Sequence, residues 1–359
     1  MSLLEDSILN MSVAMNVSVD TDTNYYVIQK DIVIMIKKIC YFGIIPILIV
    51  SGLILNALCC VMFYKLKSKT STVVILVALA ATDIFILLTA IVYVIKIVSI
   101  YAGVPLTANQ MIQMLPYFDG FMAAVPNRIG NILTFMLSAE RLLCVLKPMT
   151  VKHYFTRKTT VISVLMTYAL TLIVSLPQGF YFRAVKMYSN DTGTIMMVYV
   201  IKPTRLGQFV DFTDSYNIVL TCVFTFVPVF GVMLMSTLTG IVVIISGRRR
   251  FQITEGMTKA ITSKEMHVTK TLLTITFTFT ICQLPGAIGM MIIFIEMKPY
   301  RYTSNVFEVV MAISYILFLL NSTVNFIIYY KTSRTYRDKI KSIFICYGKC
   351  RERHHRRDT

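Results

Sequence analysis

Apolar residues come in seven long runs, at about 40–64, 73–101, 111–146, 160–182, 216–246, 268–295 and 306–330, with short polar segments between them. Each run reaches or exceeds the roughly 20 residues a helix needs to cross the hydrocarbon core of a bilayer. The runs are apolar all round, not along one stripe, as expected of helices in lipid rather than at the surface of a soluble domain. The third is the longest, so it has to tilt or protrude. This pattern predicts an all-α membrane protein. A polar N-terminal tail covers 1–38, a seven-transmembrane helix bundle 39–331, and a basic tail 332–359. In that last segment Tyr336, Ile340, Ile343 and Phe344 recur at helical spacing among Lys and Arg. The spacing predicts a short amphipathic helix on the inner membrane face. Cys346 and Cys350 follow it as palmitoylation candidates. The alternative is an unmodified basic tail drawn to anionic lipid.

Composition supports lipid as the solvent. The 359 residues are 56% hydrophobic and 15% charged, with a mean hydropathy of +0.69. A soluble domain carries about 25% charged residues. The net charge of +17 raises nucleic acid as a partner, but Lys and Arg sit mainly between the runs and in the tail. No Lys or Arg lies between the second and third runs, whereas the segments after the first, third, fifth and seventh are basic. The positive-inside rule then places the N-terminus outside and the C-terminus in the cytosol of a multi-pass plasma-membrane protein. Asn10, Asn16 and Asn190 begin glycosylation sequons on the outer side; a fourth, at Asn321, is inside the seventh run and silent. None of the cysteines has zinc-ligand spacing. No metal or cofactor is expected. Trp is absent, so Tyr has to supply any interfacial aromatic belt.

Polar groups inside a span are costly and mark candidate sites. Asn56 is alone in the first run and Asp83 is deep in the second. Asn321, Asn325 and Tyr329 recur at i, i+4 and i+8 in the seventh, with Ser322 beside them, as one polar stripe. Asn56 and Asp83 are its natural partners. A buried carboxylate among amides can bind Na⁺ or carry a proton; the same residues also fit a purely structural hydrogen-bond cluster. Glu140 and Arg141 end the third run at the edge of the membrane. Pro228 and Pro285 interrupt the fifth and sixth. Glu265 lies about 30 Å before Pro285 along a helix, level with Arg141. A helix pivoting at Pro285 would carry it towards or away from that arginine. Glu140 and Glu265 are thus competing partners for Arg141. Arg128 is about 20 Å from Arg141, well inside the hydrocarbon. An arginine there costs roughly 2.5–3.5 kcal/mol on insertion scales. It is either the counter-ion of an anionic ligand or a structural arginine bonded to carbonyls freed by Pro126 or to amides such as Asn131.

In order and spacing these residues resemble the rhodopsin-like G-protein-coupled receptors. The helix 1 asparagine appears as Asn56, and the helix 2 motif as Leu79-Ala80 with Asp83. The acid-arginine pair of helix 3 appears as Glu140-Arg141-Leu142, with Val145 and Pro148 beyond. The prolines of helices 5 and 6 appear as Pro228 and Pro285, the acid facing the arginine as Glu265, and the asparagine and tyrosine of helix 7 as Asn325 and Tyr329. The resemblance implies an activation switch of Glu140, Arg141, Glu265, Pro285, Asn325 and Tyr329. It implies a heterotrimeric G protein meeting Arg141, Val145 and Pro148, and an extracellular ligand, peptide or small molecule. The general look is of an invertebrate peptide or chemosensory receptor. Several positions depart from the pattern. Phe326 replaces the helix 7 proline, Gln283 the helix 6 tryptophan, and Pro116 the helix 3 cysteine; Gly130 stands where a hydroxyl often helps hold sodium. The amine-binding aspartate corresponds to Ala123, with Asp119 one turn outward. By position, Asn127, Arg128, Gln283, Tyr93 and Tyr315 complete the expected ligand pocket, while Lys96 snorkels to the outer surface. A transporter or channel with Asp83, Arg128 and Asn325 as its polar path is the alternative, but no internal repeat supports it. The metalloprotease and nucleophile-elbow motifs are absent, which argues against an intramembrane enzyme.

Overall fold

The computed structural model describes residues 30–66, 70–101, 121–147, 151, 153–179, 182–189, 194–201, 208–251, 258–296, 305–332, 336–338 and 340. Among the described residues, seven helices are long and apolar enough to span a membrane: Asp31–Tyr64, Ser71–Ile95, Ala124–Leu146, Arg157–Gln178, Ser215–Ile245, Thr271–Met291 and Val309–Lys331. They are numbered here as spans one to seven. Half or less of each is buried within the protein; the fourth, at 22%, is the most peripheral. The apolar remainder faces outward, where a bilayer supplies the covering that a soluble protein would lack.

The chain starts its first helix earlier than the apolar run does. Lys30–Lys38 is helical, with Asp31 in its first turn and Lys37 and Lys38 in its last, the charge order that suits a helix dipole. A π-helical turn, Ile39–Ile44, joins it to Ile45–Leu66. Another π-helical turn, Cys222–Phe226, interrupts the fifth span just before Pro228. Among the described residues the longest helix is the sixth, Thr258–Glu296, with 39 residues, and not the third. Residues 102–120, which the apolar pattern assigned partly to the third span, lie outside the described residues. Among the described residues, one short strand pair accompanies the helices. Strands β1 (Phe182–Ser189) and β2 (Thr194–Ile201) pair antiparallel after the fourth span, from Phe182 opposite Ile201 to Ser189 opposite Thr194. Val, Ile, Tyr and Phe in these segments favour extended chain.

The main core follows the third span from Phe121 to Leu137 and is widest at the Arg141 end of the bundle. There Met62 and Phe63 of span one, Ile75 of span two, Leu137 of span three, Leu272 of span six and Tyr329 of span seven pack together. Tyr336 and Ile340, beyond the seventh span, belong to the same core. The segment predicted to lie on the lipid surface therefore turns these two side chains into the bundle. Tyr336 stacks on Tyr329 with ring centroids 5.1 Å apart and meets the edge of Phe63 at 5.3 Å. Burial and the neighbouring Tyr329 and Cys59 push its phenol far above the ordinary range, so it stays protonated. Arg337 donates to the carbonyls of Lys331, at 2.7 Å, and Tyr330, occupying the open C-terminal end of the seventh helix. Ile343 and Phe344 lie outside the described residues.

A candidate signalling switch and two buried polar clusters

The third span ends as Ser138-Ala139-Glu140-Arg141, and its helix brings Glu140 inward to 2% exposure. Arg141 keeps 13% of its side chain exposed, with Nη2 3.5 Å from Glu140 Oε2. The second-span helix begins at Ser71, and its first two residues complete the group. Ser71 Oγ donates to Glu140 Oε1, as does Thr72 Oγ1 at 3.0 Å, and Arg141 Nη2 donates to Thr72 Oγ1. The carboxylate thus accepts two hydroxyl hydrogen bonds and lies against the positive end of the second-span helix. Glu140 Oε2 and Arg141 Nε are buried without a hydrogen-bond partner among the described residues. The pair is held, but neither member is saturated. Glu265 lies on the sixth helix, and its side chain is outside the described residues.

Asp83, 2% exposed, accepts a hydrogen bond of 3.0 Å from Asn325 Nδ2, so spans two and seven meet as the polar stripe implied. Asn56 joins them by backbone: its Nδ2 donates to Gly52 O at 3.0 Å and to Ser322 O at 2.7 Å. A Cβ at Gly52 would lie 2.7 Å from Thr323 Oγ1 and 2.8 Å from Leu87 Cδ1, so spans one, two and seven are in close contact here. The stripe does not act as one unit. Asn321 is half-buried and makes no side-chain hydrogen bond among the described residues; Tyr329 belongs to the aromatic group of Phe63 and Tyr336. Four-residue steps overshoot the 3.6-residue turn by about 40° each, so the ends of the stripe face different neighbours.

Residues 56–329 match the model of the 7 transmembrane receptor (rhodopsin family), from the first-span Asn56 to the seventh-span Tyr329. The chain belongs to this family. Among curated proteins, none matches it.

Three other sequence-expected residues of this receptor, Arg128, Tyr93 and Tyr315, lie in two groups at the end of the bundle opposite Arg141. Arg128, 7% exposed, points to the fourth span: its Nη1 donates to Ser175 Oγ at 2.8 Å and to Gln178 Oε1 at 2.7 Å. Gln178 Nε2 donates in turn to Asn217 Oδ1 at 2.5 Å, and the Tyr216 hydroxyl to Val174 O. An amide does hold Arg128, but it is Gln178 of the fourth span and not Asn131, and no carbonyl freed by Pro126 is among its partners. Pro126 is in the first turn of its helix, where an N–H has no intrahelical partner in any case. Asn131 donates at 3.0 Å to Phe224 O, in the π-helical turn of the fifth span. Ser175, Gln178 and Asn217 carried no signal of their own; hydroxyl and amide side chains recur through the spans. Tyr93 and Tyr315 form the second group, with centroids 5.0 Å apart, and Tyr41 joins them through a 3.3 Å contact between its hydroxyl and that of Tyr93. They bind the ends of spans one, two and seven together. Ala123 and Asn127 are half-buried, and Gln283 is buried in the sixth span. Pro285 and Val145 are half-buried too. Asp119, Pro148, Asn10, Asn16, Asn190, Cys346, Cys350 and the side chain of Lys96 lie outside the described residues.

Proposed function

We propose that this receptor converts binding of an extracellular ligand at the end opposite Arg141 into activation of a heterotrimeric G protein at the Arg141 end. The family supplies the receptor class; the ligand, the direction and the coupling are inferred from the residues. In this reading the Arg141 end is cytosolic, in keeping with the basic segments that follow the first, third and fifth spans.

The observation that carries the reading is the arrangement of Glu140, Arg141, Ser71 and Thr72. A buried acid and a slightly exposed arginine are bound to each other and to the start of another span, and each keeps one polar atom unsatisfied. Such a contact has a second state within reach. When the third and second spans separate, Arg141 is released and its guanidinium meets acceptors on a docking protein beside Val145. Two-state elements of this kind are what a distant ligand can bias. The transporter reading is weaker: Asp83 is engaged by Asn325 and Arg128 by the fourth span, so the two groups belong to separate clusters.

Replacing Arg141 with Ala tests the proposal. The variant is expected to reach the cell surface and to bind ligand, while G-protein activation falls to background in an energy-transfer assay of G-protein dissociation. Undiminished activation by Arg141→Ala would remove Arg141 from the mechanism.

A further inference from the structure

The guanidinium of Arg128 is only partly engaged. Its Nη1 is shared by Ser175 Oγ and Gln178 Oε1, both neutral acceptors. Its Nε and Nη2 make no hydrogen bond among the described residues, and no carboxylate there forms an ion pair with it. Yet the residue is 7% exposed and lies in the second turn of the membrane span Ala124–Leu146. Neutral dipoles hold the cation in place without neutralising it, and an ionised acceptor binds a guanidinium about twice as strongly as a neutral one. The holding groups are themselves fixed. Ser175 is fully buried, Gln178 is tied to Asn217, and Tyr216 fastens the fifth span to the fourth at Val174 O.

We propose that Arg128 binds the carboxylate of the receptor's ligand. Ser175 and Gln178 keep one side of the guanidinium on the fourth span, and the Nε–Nη2 edge is offered to the two carboxylate oxygens. The fork of donors on that edge matches a carboxylate bidentately. The assignment deepens the receptor reading above and rests on it. It also gives the ligand a mechanical lever. Through Gln178 and Asn217 the same cluster reaches the fifth span, whose π-helical turn carries the carbonyl held by Asn131. The carboxylate has two sources: an organic acid or free peptide C-terminus arriving from water, or a fatty acid arriving through the bilayer.

The test is thermal unfolding of the purified full-length receptor in detergent, followed with a thiol-reactive dye that reports exposure of the buried Cys59 and Cys282. Two matched pairs separate the sources: an acetylated dipeptide with a free C-terminal carboxylate against its amide, and decanoate against decanol. The carboxylate of one pair is expected to raise the melting temperature while its uncharged counterpart does not. Arg128→Gln should weaken that carboxylate about 30-fold or more. Gln178→Glu places an internal carboxylate on the guanidinium, and the Asn217 amide turns to donate to it in place of the bond it now accepts from Gln178 Nε2; the variant should keep an unliganded melting temperature close to that of the unmodified receptor while removing the shift. If Arg128→Gln fails to fold, Gln178→Glu carries the test alone. No shift with either carboxylate, an equal shift with its uncharged partner, or a shift that persists in the folded variants overturns the assignment. A neutral ligand that activates through Arg141 would overturn the carboxylate and spare the receptor reading. Normal signalling by Arg141→Ala would overturn the switch and leave carboxylate binding to Arg128 intact.

Discussion

Replacing Glu140 with Gln changes one charge and almost no volume, and its effect can be worked from the contacts. Glu140 Oε1 accepts hydrogen bonds from the hydroxyls of Ser71 and Thr72, and Oε2 lies 3.5 Å from Arg141 Nη2. Hydrogen bonds to a charged acceptor contribute about 1.5–3 kcal/mol, against about 0.5–1.5 for neutral pairs. The amide oxygen still accepts, so the two hydroxyl bonds together lose about 2 kcal/mol. The lost attraction to Arg141 adds to this, discounted because Arg141 is partly solvated. All of it is lost only in the state where the third and second spans are together. A loss of about 2 kcal/mol is roughly a 30-fold shift in the equilibrium. A receptor active about 1% of the time without ligand would become active roughly a quarter of the time. Ligand-independent G-protein dissociation, normalised to surface expression, reads this directly. Ser71→Ala removes only one hydroxyl donor and should give a smaller rise. Basal activity in Glu140→Gln equal to that of the unmodified receptor would refute the argument, because the contact would then be the same in both states.

Other substitutions test the packing that positions this group. Asn325→Ala leaves the buried Asp83 without its amide donor, and should cost about 1–3 kcal/mol of stability, read as a lower melting temperature in detergent. Gly231→Ala would put a Cβ 2.4 Å from Phe135 Cε2, a ring packed beside Val229 and Phe279. It should destabilise by about 1–3 kcal/mol, and Phe135→Leu in the same chain should recover part of the loss. Tyr336→Ala should speed hydrogen exchange in the last turn of the seventh helix, because it takes the stacked ring from Tyr329 and loosens Arg337 from the carbonyls of Tyr330 and Lys331.

Length and apolarity alone made the seven spans legible, because lipid forces every backbone polar group into local hydrogen bonds. The pairing of Asp83 with Asn325 was legible too: two amides or acids in otherwise apolar helices have few alternatives. Glu140 and Arg141 could be read as a pair because they are adjacent. Ser71 and Thr72 could not be read as their partners, since hydroxyls at a helix start usually bond to their own backbone. The burial of Arg128 follows from the cost of its charge in lipid, but its direction depends on how the third helix is turned about its axis, and its long side chain reaches as far as the fourth span. Tyr336 shows the same limit. Its spacing implied one apolar face, and whether lipid or protein covers that face depends on the angle at which the chain leaves the seventh span.

The π-helical turn at Cys222–Phe226 has a consequence for how the fifth span can vary. A π-helical turn holds one residue more than an α-helical one, which offsets the two halves of the helix by about 100°. Asn217 and Tyr216 before the turn meet the fourth span, while Val229, Gly231 and Val232 after it pack on Phe135 and Phe279. Removing a single residue from 222–226 would restore a regular helix and swing Asn217 away from Gln178, with every apolar residue of the span still apolar. Hydropathy would register no change, and the cluster around Arg128 would come apart. In this span the number of residues constrains the protein as tightly as their identity.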